Sequence, residues 1–219
     1  MLQSVVFDMD GLMFDSHQIF IDAWNYAGEK VGAGKLGYLV KKALGYDFEK
    51  KKSIWIKEFE TPSKFDEAYK HFERFMFDHF DNKEATPRKG LYTLLDFLKK
   101  KGAKIAVASN SPKYIVEKNI KSAKISDYFD AIVCVDMVKN PKPDPELYFK
   151  ACEFIDSDPK NTFALEDSKT GIVAAYSAGC KPIMVPHLCQ PDGETLNMIV
   201  AKYDDLEQVK IAFESGEIG

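Results

Sequence analysis

Two aspartates follow the first apolar run of the chain, and their spacing is the first sign of chemistry. The run VVF leads directly into Asp8, Met9 and Asp10. Two carboxylates held this close repel each other, and protonation of one acid or a neighbouring positive charge relieves the repulsion. The pair therefore predicts a site that binds a cation and also takes up and releases a proton.

Polar side chains also end two later apolar runs. The run IAVASN ends in Ser109 and Asn110, and the run TFALED ends in Glu166 and Asp167. Because ligands of an open parallel sheet bind beyond the carboxyl ends of its strands, we expect these side chains to meet the first acids at one edge. One acid at a strand end is ordinary helix capping. Four carboxylates at one edge favour a divalent cation, and hard oxygen ligands favour Mg²⁺.

The segment NPKPDPELY adds one cation near the same edge. Lys142 lies between two prolines, which exclude it from the middle of a helix. The segment follows the apolar run that ends at Asp136, so it faces the same edge of the predicted sheet. A lone lysine in a loop is usually a solvated charge, but beside an acidic site Lys142 could neutralise a phosphate.

The elements that must position these residues alternate regularly along the second half of the chain. Helix-like stretches separate the apolar runs, and LYTLLDFLKKKG reads as an amphipathic helix closed by Gly102. The apolar runs lie at 105–110, 131–136, 162–167 and 182–186, and VVFDMD adds another strand near the beginning. This alternation predicts an α/β fold with a doubly wound parallel sheet buried on both faces.

Residues 15–84 break that alternation and show helical periodicity instead. We predict helices over 17–30 and 48–59, and a third that starts at Thr61-Pro62-Ser63. The prediction is a core domain of residues 1–14 and 85–219 with an all-helical insert at 15–84. Half of the 28 aromatic residues lie in this insert. We interpret them mainly as a small helical core, and a few as candidates to line a ligand pocket.

The composition narrows the class of protein. With 30 basic and 34 acidic residues, a net charge of −4 and 45% hydrophobic residues, the chain can form a core and does not suggest nucleic-acid binding. No apolar run approaches the length of a membrane span and no leader precedes the first strand, so we expect a cytoplasmic monomer or small homo-oligomer. We interpret the four cysteines as reduced thiols: Cys134, Cys152, Cys180 and Cys189.

Four motifs in this order, DMDGLMFDS, ASNS, KPDPELY and EDSKTG, resemble those of the haloacid dehalogenase-like hydrolases. The resemblance spans essentially the whole chain. It points to the subgroup with a helical cap inserted after the first strand, which includes β-phosphoglucomutase and many phosphatases of small metabolites. It implies a Rossmann-like core and a cap that closes over the substrate. Candidate cap contacts near the hinge are Phe14, His17, Phe20 and residues 45–47.

The resemblance also implies a role for each motif residue. Asp8 matches the nucleophile that attacks phosphorus and becomes an aspartyl phosphate, and Asp10 matches the general acid and base. The implied phosphate-binding residues are Ser109, Asn110 and Lys142. The implied ligands of Mg²⁺ are Asp8, Asp10 through its carbonyl, Glu166 and Asp167. The repulsion between the carboxylates of Asp8 and Asp10 would then be tolerated, because a cation lies on one of them and a proton on the other.

Departures from the mutase pattern favour hydrolysis. The mutase has a histidine in its first cap helix at the position that matches Phe20, and an arginine in a cap loop that matches residues 45–48, where this chain has none. We therefore predict a Mg²⁺-dependent phosphatase of a small phosphorylated metabolite, a sugar phosphate or nucleotide-like monoester. The alternative is a β-phosphoglucomutase-type mutase. A non-catalytic regulator or receiver is disfavoured because no motif residue is lost.

Overall fold

The computed structural model describes residues 2–44, 46, 48–82 and 86–218, with the main chain alone for 79–82. Within this part of the chain, six parallel strands form one sheet in the order β3-β2-β1-β4-β5-β6. The strands are β1 Ser4–Phe7, β2 Lys104–Ser109, β3 Ala131–Cys134, β4 Thr162–Glu166, β5 Lys181–Met184 and β6 Ala201–Lys202. The predicted α/β fold with a doubly wound parallel sheet is confirmed.

Ten α-helices accompany the sheet in the described residues. Those between β1 and β2 are α1 His17–Lys30, α2 Tyr38–Lys42, α3 Phe48–Trp55, α4 Pro62–Asn82 and α5 Leu91–Lys101. Those after β2 are α6 Lys113–Ser122, α7 Glu146–Phe154, α8 Lys169–Ser177, α9 Gly193–Leu196 and α10 Leu206–Ser215. None of the described helices is both long enough and apolar enough to cross a membrane.

The sheet is buried on both faces because successive side chains of a strand point in opposite directions. In β1, Val5 and Phe7 enter a core with residues of α5, α6 and α10. Val6 enters a second core with residues of α7 and α8. Strands covered on both faces must be apolar throughout, and this explains why the runs show no polar alternation.

The helix α5 shows how local sequence determines an element. Its leucines recur at helical spacing and Leu91, Leu94 and Leu98 are fully buried. The helix ends at Lys101, and Gly102 adopts the left-handed conformation with φ of 70° that commonly follows a helix. The amphipathic helix predicted from this stretch is confirmed.

The four helices between residues 17 and 82 form a hydrophobic cluster of their own around the fully buried Trp24. Its ring lies within 6.4 Å, centroid to centroid, of the rings of Trp55, Phe59, Phe65, Tyr69 and Phe72. Most aromatic residues of the insert therefore build its core. One partly buried residue from outside the insert, Leu188, packs against this cluster.

The chain segments that enter and leave the insert run side by side. Asp15 N–H donates to the carbonyl of Thr86 at 2.9 Å, and Arg88 N–H donates to the carbonyl of Met13 at 2.8 Å. Phe14 lies between them and bridges to Pro87 on the returning segment. These two segments, 13–15 and 86–88, are called the ribbon below.

Several elements differ from the sequence predictions. The helix predicted over 48–59 ends at Trp55 and continues as a 3₁₀ turn over Ile56–Glu58. The strand predicted over 131–136 ends at Cys134, before another 3₁₀ turn. The short elements α2, β6 and α9 and the helix α10 were not predicted. Strand β6 has two residues, too few for a period-two pattern, and depends on pairing with β5.

Candidate active site

The first acidic pair lies at the centre of the sheet edge because β1 has β2 and β4 as its neighbours. Phe7 is in register with Val107 on one side and with Leu165 on the other. The next residue along the chain, Asp8, therefore lies between the ends of both neighbouring strands. Sheet register thus brings together motif residues that are more than 100 positions apart.

A glycine completes this turn because no side chain fits there. Gly11 has a φ of +85°, in the left-handed region. A Cβ at this position would lie 2.2 Å from Oδ2 of Asp167 and 2.2 Å from Cε1 of His17. The turn after β1 therefore packs directly against an acid of the fourth motif and against the first residue of α1.

Lys142 ties the acids together. Its Nζ lies 2.6 Å from Oδ1 of Asp8, 2.6 Å from Oε1 of Glu166 and 2.7 Å from the carbonyl oxygen of Ala108. The residue is only 2% exposed, and these three acceptors use all three ammonium protons. The side chain of Asn110 holds the lysine main chain, accepting from its N–H at 2.9 Å and donating to its carbonyl at 3.2 Å.

Glu166 is fully buried behind this lysine, and both of its carboxylate oxygens accept hydrogen bonds. Oε1 accepts from Lys142 and, at 2.7 Å, from the Tyr148 hydroxyl. Oε2 accepts from the N–H of Asp167 at 3.2 Å and from Oγ of Ser168 at 3.3 Å. Glu166 is therefore fixed as the support of Lys142. The predicted metal role of this acid stays a prediction.

Asp10 lies beyond Asp8 at the edge of the sheet, and its Oδ2 accepts a hydrogen bond from the Ser111 hydroxyl. The main chain of Asp10 also forms a bridge with Phe14 on the ribbon. Ser111 is the last residue of the ASNS motif, and no role was predicted for it. Tyr148 was not predicted as a site residue either. The sequence feature that could have identified it is a tyrosine six positions after the motif lysine, on the buried face of α7.

Burial and mutual repulsion dominate the electrostatics of the site. Burial, together with the charge of Glu166, raises the pKa of Asp8 to about 8, although Lys142 opposes this. Burial and the two neighbouring acids also raise the pKa of Asp167 well above its usual range. Burial acts to lower the pKa of Lys142, but Asp8 and Glu166 outweigh it and raise that pKa. Lys142 therefore stays charged, but its single ammonium group does not balance the three carboxyl groups of Asp8, Glu166 and Asp167.

This donor set fits a divalent cation. One carboxylate oxygen each of Asp8, Glu166 and Asp167 lies within 4.8 Å of the other two. Three carboxylates and one ammonium leave two net negative charges when all are ionised, which one divalent ion would balance. Oδ2 of Asp167 has no hydrogen-bond partner among the described residues, although it is buried. Oxygen ligands of this kind suit Mg²⁺.

A cavity lies between the sheet edge and the insert, and it collects most of the predicted site. Its sheet side is lined by Asp8, Asp10, Ser109, Asn110, Ser111, Lys142, Asp167 and Ser168. Its insert side is lined by His17, Phe20, Val40, Ala43, Leu44, Tyr46, Lys51 and Trp55. Among the described residues, the two sides differ sharply in polarity.

Phe14, predicted as a cap contact, is fully buried in the core under β1 and does not line the cavity, since the apolar ring fills space below the ribbon. The other predicted contacts, His17 and Phe20, do line it. Of residues 45–47, Tyr46 lines it, and Gly45 and Asp47 lie outside the described residues.

Comparison with known proteins agrees with the motifs. A family model described as haloacid dehalogenase-like hydrolase matches residues 5–185. The chain is 29% identical over 187 residues to a "phosphorylated carbohydrates phosphatase" of Thermotoga maritima, which covers 83% of this chain and 84% of that protein. It is 26% identical over 189 residues to the pyrophosphatase PpaX of Bacillus mycoides, covering 84% of this chain and 83% of that protein.

Among solved structures, the β-phosphoglucomutase of Clostridium difficile superposes with a TM-score of 0.78 at 23% identity, covering 99% of this chain and 97% of that one. At this identity the likeness concerns the fold alone. The family model spans most of the chain and includes all four motifs. The chain therefore belongs to the haloacid dehalogenase-like hydrolases, and the family predicted from its motifs is confirmed.

Proposed function

We propose that this chain is a Mg²⁺-dependent phosphatase that hydrolyses a small phosphorylated metabolite through an aspartyl phosphate on Asp8. The observation that supports this most strongly is the arrangement around Lys142. Its ammonium lies 2.6 Å from Asp8 in a cavity that Asp10 also lines. A nucleophile, an acid and a cation thus face the same space. The names of the phosphatase relatives point the same way.

In the first step, an oxygen of Asp8 bonds to phosphorus while the bond from phosphorus to the leaving oxygen breaks. Asp10 donates its proton to that oxygen, so the product leaves as a neutral alcohol. Ser111 holds the Asp10 carboxyl group in place through its hydroxyl. The group being transferred is held by the Ser109 hydroxyl, the main chain of Asn110 and the positive charge of Lys142, which line the cavity beside Asp8.

In the second step, Asp10 removes a proton from a water molecule, whose oxygen bonds to phosphorus. The bond between phosphorus and Asp8 breaks, which releases inorganic phosphate and restores the carboxylate. Asp8, the carbonyl of Asp10, Glu166 and Asp167 would hold Mg²⁺, which when bound would supply the positive charge that an anionic nucleophile needs to approach an anionic phosphate. Lys142 supplies a second, permanent positive charge to the same oxygens.

We also propose that residues 15–84 act as a cap on a core formed by residues 1–14 and 85–219. The separate hydrophobic cluster around Trp24 supports this division. The insert side of the cavity is largely apolar, with Phe20, Val40, Leu44 and Trp55 among its residues. Because burying unpaired hydroxyls is costly, this surface favours a sugar phosphate or nucleotide-like monoester with one apolar or aromatic face over a fully polar one.

A phosphosugar mutase is the second candidate, and one observation favours it. Lys51 lines the insert side of the cavity, where a cation could bind the distal phosphate of a bisphosphate. Phe20 lies at the position that matches the mutase histidine, and an aromatic hydrocarbon cannot transfer protons as an imidazole does. The imidazole of His17 lines the same side, but its Nδ1 is paired with that of His187 at 2.7 Å. For that reason hydrolysis remains the primary proposal.

The test is release of phosphate from a panel of esters, with Mg²⁺ and with chelator. The panel includes an aryl phosphate, nucleoside monophosphates, pyrophosphate, hexose 6-phosphates and β-glucose 1-phosphate with a bisphosphate primer. We expect Mg²⁺-dependent release that is lost in Asp8→Asn and kept in Asp66→Asn, an exposed acid on α4. Isomerisation of β-glucose 1-phosphate faster than release would select the mutase. No turnover of any ester by the folded protein would refute both.

A further inference from the structure

Two histidines face each other where the insert meets the sheet. His17 is the first residue of α1, and His187 lies three residues beyond the end of β5. Their Nδ1 atoms are 2.7 Å apart, and the two ring planes lie at 22° to each other with centroids 5.0 Å apart, so the rings meet edge to edge. His17 is 5% exposed.

The outer nitrogen of each ring points to a carboxylate. Nε2 of His17 is 3.9 Å from Oδ2 of Asp167, and Nε2 of His187 is 3.5 Å from Oδ1 of Asp15. Both of these oxygens are buried, and neither has a hydrogen-bond partner among the residues that the structure describes. The four side chains therefore form a line: carboxylate, imidazole, imidazole, carboxylate.

Counting protons shows that this line is unbalanced when both rings are neutral. Two neutral imidazoles carry two protons on four nitrogens. One proton must lie between the facing Nδ1 atoms, because two lone pairs at 2.7 Å would repel. The ring that supplies it has a bare Nε2. Only one of the two carboxylates, Asp15 or Asp167, can then face an N–H group, and the other faces a lone pair.

A metal cation between the Nδ1 atoms removes this imbalance. Both Nδ1 lone pairs would bind the ion, so both rings would carry their proton on Nε2, facing Asp15 and Asp167. Metal-bound histidines usually donate their other N–H to a carboxylate in this way. An added proton would remove the imbalance in the same way, and a zinc-binding measurement distinguishes the two.

We propose that His17 and His187 form a second metal site, for a divalent transition metal of the zinc or cobalt class. Imidazole nitrogens suit such ions, whereas Mg²⁺ prefers oxygen. Bonds of about 2.0–2.1 Å in a tetrahedral site place two nitrogens about 3.3 Å apart, so the rings would separate by about 0.6 Å and tilt until both lone pairs point at the ion. Asp167 belongs to the same group of side chains, whose possible ligand atoms lie within 4.8 Å of one another, and it would accept from the Nε2–H of His17 in this arrangement.

The carboxylates at the two ends of the pair provide negative charge. Asp15 lies beside His187, and Asp167, which also belongs to the acidic site, lies beside His17. Arg88 contributes one positive charge near His187, but its guanidinium already donates to the carbonyls of Gly11, Val185 and Pro186.

Occupancy of this site would join the insert to the sheet. His17 begins α1, and the residue after His187, Leu188, already packs against the insert cluster. A metal would therefore strengthen an existing contact and draw Asp167 away from the acidic site. Its effect on turnover rests on the proposed phosphatase function, but its binding does not. We expect zinc at low concentration to slow the Mg²⁺-dependent reaction.

The test measures binding directly, in excess Mg²⁺, by competition of Zn²⁺ with a chromophoric chelator. We expect one tight equivalent for the native protein. Affinity should fall by more than about ten-fold in His17→Asn and in His187→Asn, since each loses a direct ligand and even outer partners cost about that much. The matched control His71→Asn, on α4, and Asp8→Asn should both bind zinc as the native protein does.

Two results would overturn the proposal. Unchanged zinc affinity in folded His187→Asn would exclude the histidine pair, and loss of zinc binding in Asp8→Asn would place the ion in the acidic site. A measurement on the native protein makes the test independent of how the variants fold. Zinc should shift the ring signals of two of the four histidines in NMR spectra. Shifts in neither member of the pair would also refute the site.

Discussion

Replacing Asp8 by asparagine should stabilise the metal-free protein while it abolishes turnover. The pKa of Asp8 is about 8 in the folded protein and 3.8 as its reference value. A carboxyl group whose pKa rises on folding contributes its full stability below the reference pKa. That contribution is lost as the pH rises towards the folded pKa, because only the unfolded chain ionises freely. The loss therefore falls between about pH 4 and about pH 8.

The magnitude follows from the size of the shift. A shift of about four pKa units corresponds to about 5 kcal/mol at pH 8, and the part reached by pH 5 is about 1–2 kcal/mol. Asparagine carries no charge to bury, and its side-chain oxygen can still accept from Lys142. Because Asp8 shares Lys142 with Glu166, part of this cost belongs to the pair. We therefore expect a gain of at least about 2 kcal/mol at pH 8, after allowance for that coupling.

The assay is urea unfolding followed by circular dichroism, at pH 5 and pH 8, in chelator. Asp8→Asn should unfold at higher urea than the native protein at pH 8, with a smaller difference at pH 5. Saturating Mg²⁺ should reduce the difference, because the ion binds the folded native protein. Asp66→Asn, an exposed control, should match the native protein throughout. A less stable Asp8→Asn at pH 8, or an equal gain at both pH values, would refute the electrostatic reasoning.

Three further substitutions test the supports of the site. Gly171→Ala places a Cβ 1.9 Å from the Glu166 carboxyl carbon, so it should lower the stability in urea unfolding although alanine favours the helix by about 1 kcal/mol. Its control is Gly193→Ala, which has open space around it and should change stability by under about 0.5 kcal/mol in the same assay. Tyr148→Phe removes a donor 2.7 Å from the same carboxylate and should cost about 1–3 kcal/mol; unchanged stability would contradict this. Ser111→Ala should lower kcat about ten-fold with little change in KM, because it frees the proposed general acid; a change in KM alone would count against this positioning role.

The sheet edge could be predicted from the sequence because each motif residue follows a recognisable strand. Asp8, Ser109 and Glu166 end or follow three strands that are neighbours in the sheet. In a parallel sheet this alone brings the side chains together. Lys142 could be predicted to face the same edge for a similar reason, since its loop follows β3.

Contacts made by side chains from helices and loops could not be predicted in this way. Tyr148 has the helical spacing of a core residue, and only the structure shows its hydroxyl on Glu166. His187 is an isolated histidine after a strand, and its partner His17 is 170 positions away. Phe14 was predicted as a cap contact because it precedes the insert, but the chain turns its ring into the core. The directions in which these side chains point depend on tertiary packing and not on the local sequence pattern.

The ribbon connects the insert to the proposed acid. Its hydrogen bonds join Asp15 to Thr86 and Arg88 to Met13, so its two segments would move together if the insert moved. Phe14 lies in the ribbon and is paired with Asp10. Any movement of the insert would therefore be transmitted through Phe14 to the residue proposed to deliver the proton.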